Sequence, residues 1–161
     1  MVKSKDTPLA ELTLRKYERP YKLKGRELVT KICLSLGLLQ PGDSRDVIVD
    51  VLHALLRHHR LDAKQLEDEV IRLRKKQKIP LVGIASSNLM RQLRRLRQIL
   101  LVEKVGTVYR ITEGEQLTRL YQDKIEQFLL KSITERIEEY CRALDREFPT
   151  PRSSEAKTKE S

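Results

Sequence analysis

Residues 72–110 combine a strongly patterned helix with the whole of the unbalanced charge in this chain of 161 residues. They contain eleven lysines and arginines against one acid, Glu103, and therefore carry a net charge of +10. That is also the net charge of the whole protein, so the charges of the other residues cancel. A charge excess confined to one segment indicates a surface that binds a polyanion.

Residues 86–100 lie inside this segment and have the pattern of an amphipathic helix that begins at two serines suited to an N-cap. One predicted face is apolar and consists of Leu89, Leu93, Leu96 and Leu100. The opposite face consists of Asn88, Arg91, Arg94, Arg95 and Gln98. Such side chains hydrogen-bond to base edges or phosphates, so we expect a helix that is buried on one side and binds nucleic acid with the other.

Residues 101–111 follow this helix directly and contain two short runs rich in β-branched residues. The two runs meet at Val105-Gly106, and a glycine at such a position is typical of a tight turn. The pattern predicts a short β-hairpin.

The helix at 87–99, the hairpin at 101–111 and the sequence Arg-Ile-Thr-Glu at 110–113 together resemble the winged helix-turn-helix family. The resemblance covers roughly residues 43–113. It implies a three-helix unit whose last helix enters the major groove of DNA, while the hairpin, or wing, touches the flanking backbone or minor groove. Winged helices also serve as protein-interaction modules, so the fold alone does not decide the function.

Two sets of DNA contacts are expected from this arrangement. Arg91 and Arg95, one turn apart on the exposed face, are predicted to contact bases, with Asn88 near the groove entrance. The other predicted contacts on this helix are Ser87, Arg94 and Gln98. The wing and the cationic end of the preceding helix are predicted to bind phosphate without reading sequence, through Lys104, Arg110, Lys75, Lys76 and Lys78.

Three earlier segments also have helical patterns. Residues 25–36 form the first, which Gly37 ends, and Asp43 or Ser44 is suited to cap the second. Asp62 and Gln65 form a capping-box pattern that opens a third helix, which runs to about residue 77. The expected fold is therefore mostly α with a small β-hairpin wing, and residues 25–112 form a winged-helix domain with an extra N-terminal helix.

Residues 1–24 are interpreted as a flexible basic arm. Within it, residues 9–24 are ambiguous, because their tyrosines and basic residues suit either an arm that follows a nucleic-acid backbone or a packed extension. At the other end of the chain, the polar tail of residues 149–161 is expected to be disordered.

Residues 113–148 have the pattern of one long helix, which a Thr112 to Glu115 capping box is predicted to begin. Its apolar stripe is too long for one small domain to cover, so a second copy of the chain is the expected partner. The predicted dimer interface contains Ile125, Phe128, Leu129, Ile133, Ile137, Tyr140 and Leu144. The alternative is a monomer in which this helix folds back over residues 25–36.

The sequence contains no recognisable catalytic or metal-binding motif. His53, His58 and His59 lie on one predicted helix, and the last two are adjacent and cannot share a helix face. Cys33 and Cys141 are interpreted as buried apolar residues. We therefore expect no catalytic residues, no metal, no cofactor and no enzymatic activity.

Two function classes follow from these patterns. The preferred one is a dimeric protein that binds double-stranded DNA, most simply a transcriptional regulator, although similar proteins act in partition or replication. The alternative is a winged helix used as a protein-interaction or scaffold module. The sequence has neither an apolar run of about 18 residues nor an N-terminal signal pattern, which predicts no membrane partner and a cytoplasmic location, nucleoid-associated in a prokaryote. A small-molecule effector is left open.

Overall fold

The computed structural model describes residues 5–153 and consists mostly of helices with one small antiparallel sheet, as predicted. The elements in chain order are α1 (Gly25–Ser35), α2 (Val47–His58), β1 (Arg60–Asp62), α3 (Ala63–Lys76), α4 (Ser86–Gln98), β2 (Val102–Val105) and β3 (Val108–Ile111). A 3₁₀ turn (Thr112–Gly114) leads to α5 (Leu117–Leu120), a π-helical segment (Tyr121–Leu130) and α6 (Lys131–Glu147), which continue one another. In residues 5–153, no helix is long and apolar enough to cross a membrane.

The core is built around α2, which contacts α1, α3, α4 and the sheet. Its buried residues are Val47, Ile48, Val49, Asp50, Val51, Leu52, Ala54 and Leu55. A helix that is apolar on nearly every side is stable only when other elements surround it, and this one is enclosed on several sides. The predicted leucine face of α4 is also buried at Leu89, Leu93 and Leu96.

The predicted hairpin is present, and a third strand extends it. β2 and β3 pair from Val102 opposite Ile111 to Val105 opposite Val108. On its other edge, β3 pairs with β1, where Leu61 lies opposite Tyr109. The sequence interpretation missed β1 because three residues are too few to show a strand period.

One of the predicted helix caps is confirmed in atomic detail. The carboxylate of Asp62 accepts a hydrogen bond from the backbone N–H of Gln65 at 2.8 Å, and the Gln65 side chain accepts one from the N–H of Asp62 at 2.9 Å. Other caps were wrong, since α2 follows Asp46 and α4 follows Ala85, and neither residue caps its helix through a side chain. Asp43 instead accepts from the backbone N–H of Arg45 at 2.9 Å.

The long C-terminal helix begins later than predicted, at Leu117. The Thr112 hydroxyl donates to the carbonyl of Leu100 at 2.8 Å, so it does not cap a helix. Glu113 has a left-handed backbone (φ 57°), and its N–H donates to Glu103 at 2.8 Å. Contacts with Leu100 and with Glu103 of β2 therefore replace the expected capping box.

Residues 12–18 of the N-terminal segment pack against the domain, which for these residues favours the packed extension over the flexible arm. The backbone N–H of Arg15 donates to Ser35 at 2.8 Å, and its guanidinium donates to the carbonyl of Leu34 at 3.0 Å and to Gln40 at 2.6 Å. Leu12 packs against the core. Residues 1–4 of the predicted arm and residues 154–161 of the predicted tail lie outside the described residues.

The C-terminal helix divides into a packed beginning and an exposed remainder. Ile125 is fully buried in the core of its own chain and Leu129 packs partly against it, so Ile125 does not belong to an intermolecular interface as predicted. By contrast, α6 has no buried residue. Cys141 is consequently exposed, contrary to prediction, whereas Cys33 is buried as expected and burial raises the pKa of its thiol to about 12.

Candidate nucleic-acid interface

The exposed face of α4 is narrower than the sequence pattern suggested. At about 100° per residue, Ser87, Arg91, Arg94 and Gln98 fall within roughly 60° of one another on the helix surface. All four are exposed, and the buried leucines lie on the opposite side. These four predicted DNA-binding residues therefore form one stripe, named here the α4 stripe.

Asn88 and Arg95 lie on the flank of α4, and intramolecular hydrogen bonds hold both of them. The Asn88 amide donates to the carbonyl of Gly83 at 2.6 Å and accepts from Gln92 at 3.1 Å. Arg95 donates to Gln92 at 2.9 Å and to the carbonyl of Leu38 at 2.6 Å. These contacts tie α4 to the α3–α4 loop and to the α1–α2 connection, whereas the sequence predicted a base contact for Arg95 and a place near the groove entrance for Asn88.

A buried ionic cluster, which the sequence interpretation missed, holds the helices beneath this surface. Arg74, at the end of α3, donates to Asp50 at 2.6 Å and to Asp46 at 3.1 Å. Arg26 of α1 contacts the same two carboxylates at 3.2 and 2.9 Å. Arg74 also donates to the carbonyl of Pro80, which anchors the loop before α4. The signal available in the sequence was one acid, Asp50, inside an otherwise apolar helix.

The end of α3 presents three lysines beside the paired arginines. Lys75, Lys76 and Lys78 are exposed, as their predicted role requires. Lys78 has a left-handed backbone (φ 56°) that ends the helix. Arg72 instead pairs with Glu69 at 2.5 Å, so its charge is offset within the helix.

The two predicted contacts on the wing differ in their charge environment. Arg110 donates to Glu103 across the hairpin at 2.7 Å. The N–H of Glu113 and the Arg110 guanidinium both lower the pKa of the Glu103 carboxyl, so the acid remains charged beside Arg110. Lys104 is exposed, and its amine lies 5.5 Å from the centre of the Tyr109 ring. Lys104 is therefore the wing cation better placed to contact phosphate.

An uncompensated cationic surface remains after these pairs are set aside. At the end of α3 and on α4, six exposed cations form no ion pair with any acid in the part of the chain that the structure describes. They are Lys75, Lys76, Lys78, Arg91, Arg94 and Arg97. Arg97 was not among the predicted site residues, although the same charge count that singled out residues 72–110 includes it.

Within the described residues, the histidines and acids do not assemble into a metal site. His58 contacts Glu69 at 3.0 Å. The hydrogen bond from Arg72 is the largest cause that lowers the pKa of the Glu69 carboxyl to about 2, and His58 contributes further. Among residues 5–153, no three histidines, cysteines or acids lie close enough together to hold a metal ion.

Comparison of the chain with protein-family models, with curated proteins and with solved structures gave no match in any of the three.

Proposed function

We propose that this protein is a dimeric winged-helix protein that binds double-stranded DNA inside the cell, most simply as a transcriptional regulator. The observation that carries this proposal is the set of six exposed cations at the end of α3 and on α4 that have no acidic partners among residues 5–153. Clustered like charges repel one another, and DNA phosphates would relieve that repulsion with release of counterions.

The order of the elements supports the same proposal. Three helices, α2, α3 and α4, precede the β2–β3 hairpin, which is the order that the resemblance to winged helices implies. The last of these helices carries the α4 stripe on its exposed side. In the proposed complex α4 lies in the major groove, and the hairpin lies beside it.

The proposed contacts follow from which side chains are free. Arg91 and Arg94 of the α4 stripe contact base edges, where an arginine can bind guanine through two hydrogen bonds. The lysines at the end of α3 and Lys104 of the wing bind phosphates. Asn88 and Arg95 position α4 through the hydrogen bonds described above.

Dimerisation through α6 is the second part of the proposal. Phe128, Ile137, Tyr140 and Leu144 are each more than half exposed, and α6 has no buried residue. Exposed apolar stripes of this kind mark interfaces. A second copy would bury them and join two DNA-binding units, which can raise avidity by roughly 10²–10⁴.

A protein-interaction or scaffold role is the second candidate function. The same exposed apolar residues favour it, because they could equally contact a helix of a different protein. This candidate function assigns no partner to the cationic surface of α3 and α4. A measurement of DNA binding therefore distinguishes the two candidate functions.

A salt titration of binding to random-sequence duplex DNA tests the proposal. Each neutralised phosphate contributes about 0.9 to the slope of log K against log salt, so the intact protein should give a steep slope. Lys75→Ala should lower that slope by about one unit. The matched control is Lys64→Ala on the same helix, because Lys64 already pairs with Asp68 at 3.3 Å. Binding without salt dependence, or no binding, would instead favour the scaffold role.

Base reading is tested with a duplex selected from a random pool. Arg94→Ala should weaken binding to the selected duplex by about 1–3 kcal/mol and relax the preference at one base pair. An equal loss on selected and random duplexes would show that Arg94 contacts only phosphate.

A further inference from the structure

A cavity of about 700 Å³ lies between the start of α2, the α3–α4 loop and α4. Its charged lining consists of Asp43, Arg45, Asp46, Arg74, Arg91 and Arg95. Val47, Ile79 and Val82 contribute apolar surface to the same cavity. The volume is within the range of roughly 300–1,000 Å³ that is typical of small-molecule sites.

The two carboxylates in the lining are already paired. Asp43 accepts from the guanidinium of Arg45 at 3.2 Å. Asp46 accepts from Arg26 at 2.9 Å and from Arg74 at 3.1 Å. These pairs leave little negative charge in the cavity lining to offset a further cation.

No ion pair within residues 5–153 offsets the charges of Arg91 and Arg95. Both belong to α4 and lie one turn apart. Arg95 is half-buried, and its two hydrogen bonds go to neutral acceptors, a carbonyl and the Gln92 amide. Burial is the largest cause that lowers the pKa of Arg95, and the like charge of Arg91 adds to it, while Cys33 and the carboxylate of Asp43 act in the opposite direction. A half-buried guanidinium in this position is stabilised when an anion supplies the missing charge.

We propose that this cavity binds a small organic anion, a phosphate or carboxylate with an apolar portion, through Arg91 and Arg95. The anionic group lies between the two guanidinium groups, and the apolar portion contacts Val47, Ile79 and Val82. Arginine forms charge-assisted, often bidentate hydrogen bonds with such groups, which makes it better suited than lysine to this role.

The site also connects the ligand to the α4 stripe, a consequence that rests on the proposed DNA-binding function. Arg91 lines the cavity and also belongs to the α4 stripe. A guanidinium bound to the anion is no longer free to contact a base. The bound ligand is therefore expected to lower the affinity for DNA.

Calorimetric titration with phenyl phosphate, with inorganic phosphate as the second probe, tests the site at constant ionic strength. Phenyl phosphate should bind the unmodified protein, and Arg91→Gln and Arg95→Gln should each weaken that binding about tenfold or more. The matched control, Arg97→Gln, removes the same charge from α4 outside the cavity lining and should keep the full affinity. Inorganic phosphate should bind more weakly, since it cannot contact the apolar lining.

Several results would overturn the proposal. One is the absence of phenyl phosphate binding to the unmodified protein. Another is that folded Arg91→Gln binds phenyl phosphate as tightly as the unmodified protein. The Arg91 side chain forms no hydrogen bond within residues 5–153, so this substitution breaks none. Circular dichroism establishes that each variant is folded. This matters most for Arg95→Gln, because the Arg95 guanidinium donates a hydrogen bond to the carbonyl of Leu38. Equal affinities for the two phosphates would contradict the apolar contacts.

A duplex-binding assay distinguishes a free anion from a phosphate of the DNA backbone. For a free anion, Arg95→Gln weakens phenyl phosphate binding much more than duplex binding, and saturating phenyl phosphate lowers the duplex affinity of the unmodified protein. Equal losses of both affinities would assign the cavity to backbone phosphate and overturn the proposal. Phenyl phosphate binding without any duplex binding would leave the site intact and contradict only the proposed function.

Discussion

The helices α2 and α6 are both patterned with apolar residues, yet their surroundings are opposite. α2 buries most of its residues, including the charged Asp50, while α6 buries none. α2 contacts three other helices and the sheet, and α6 chiefly continues the π-helical segment before it. Apolar periodicity therefore identifies a face that needs a partner, but it does not say whether that partner belongs to the same chain.

The contrast extends to charges. Asp50 is fully buried, and the guanidinium groups of Arg74 and Arg26 make that burial possible. The acids and bases of α6 are exposed and pair along the helix, as in Arg136 with Glu139 at 2.9 Å. Exposed pairs of this kind contribute little to stability, whereas breaking a buried pair leaves a charge without a partner. Substitutions in the two helices should consequently have very different effects.

The largest effect on folding is expected from Asp50→Ala. It leaves Arg74 buried with only part of its counter-charge, which should lower the free energy of unfolding by about 3–5 kcal/mol in a denaturant titration. The matched control is Asp68→Ala, because Asp68 is exposed and within residues 5–153 its ion-pair partner is Lys64 alone. A loss at Asp50 no greater than at Asp68 would remove the distinction between buried and exposed charges.

A smaller and pH-dependent effect is expected from Glu69→Gln in α3. The pKa of Glu69 falls from its ordinary value of 4.5 to about 2 in the folded chain. The charged carboxylate therefore stabilises the fold fully above pH 4.5, and this contribution is lost as the pH falls towards 2. The stability difference between the unmodified protein and Glu69→Gln should shrink over that range. Glu67→Gln, two residues away, is the control, and a difference independent of pH would contradict the assignment.

The smallest effect on folding, with a large effect on association, is expected from Ile137→Glu in α6. Light scattering at micromolar concentration should give a mass of two chains for the unmodified protein and one chain for the variant. The free energies of unfolding of this variant and of a chain that ends at Ser132 should lie within about 0.5 kcal/mol of each other, because α6 buries no residue. A chain that ends before Ile125 would lose a fully buried core residue, so it is not a suitable test of dimerisation.

Two other measurements would contradict this prediction. An unmodified protein with the mass of one chain would exclude the proposed dimer. A variant that keeps the mass of two chains would move the interface away from α6. Either result would mean that the exposed apolar residues of α6 are not explained by a partner helix in a second copy of the chain.

The sequence predicted most of the helices and the hairpin because local patterns specify them. Leucine spacing in α4, the Asp62 capping box and the glycine turn of the wing are all interactions between residues close in the chain. Two residues of the predicted site differ in their surroundings from the rest of the charged face of α4. Asn88 and Arg95 lie on its flank, where distant carbonyls of Gly83 and Leu38 accept their hydrogen bonds.

By itself, the sequence determined where the positive charge is concentrated and which faces of the helices are apolar, since both depend on residue type and helical period. Only the tertiary structure decided which cations are free. Arg74 and Arg95 lie in the same basic segment as Arg94, but folding brings Asp50 to Arg74 and the Leu38 carbonyl to Arg95. It likewise placed Ile125 in the core and left Ile137 exposed. The physical reason is that pairing and burial depend on neighbours that are distant in the chain, which no local period encodes.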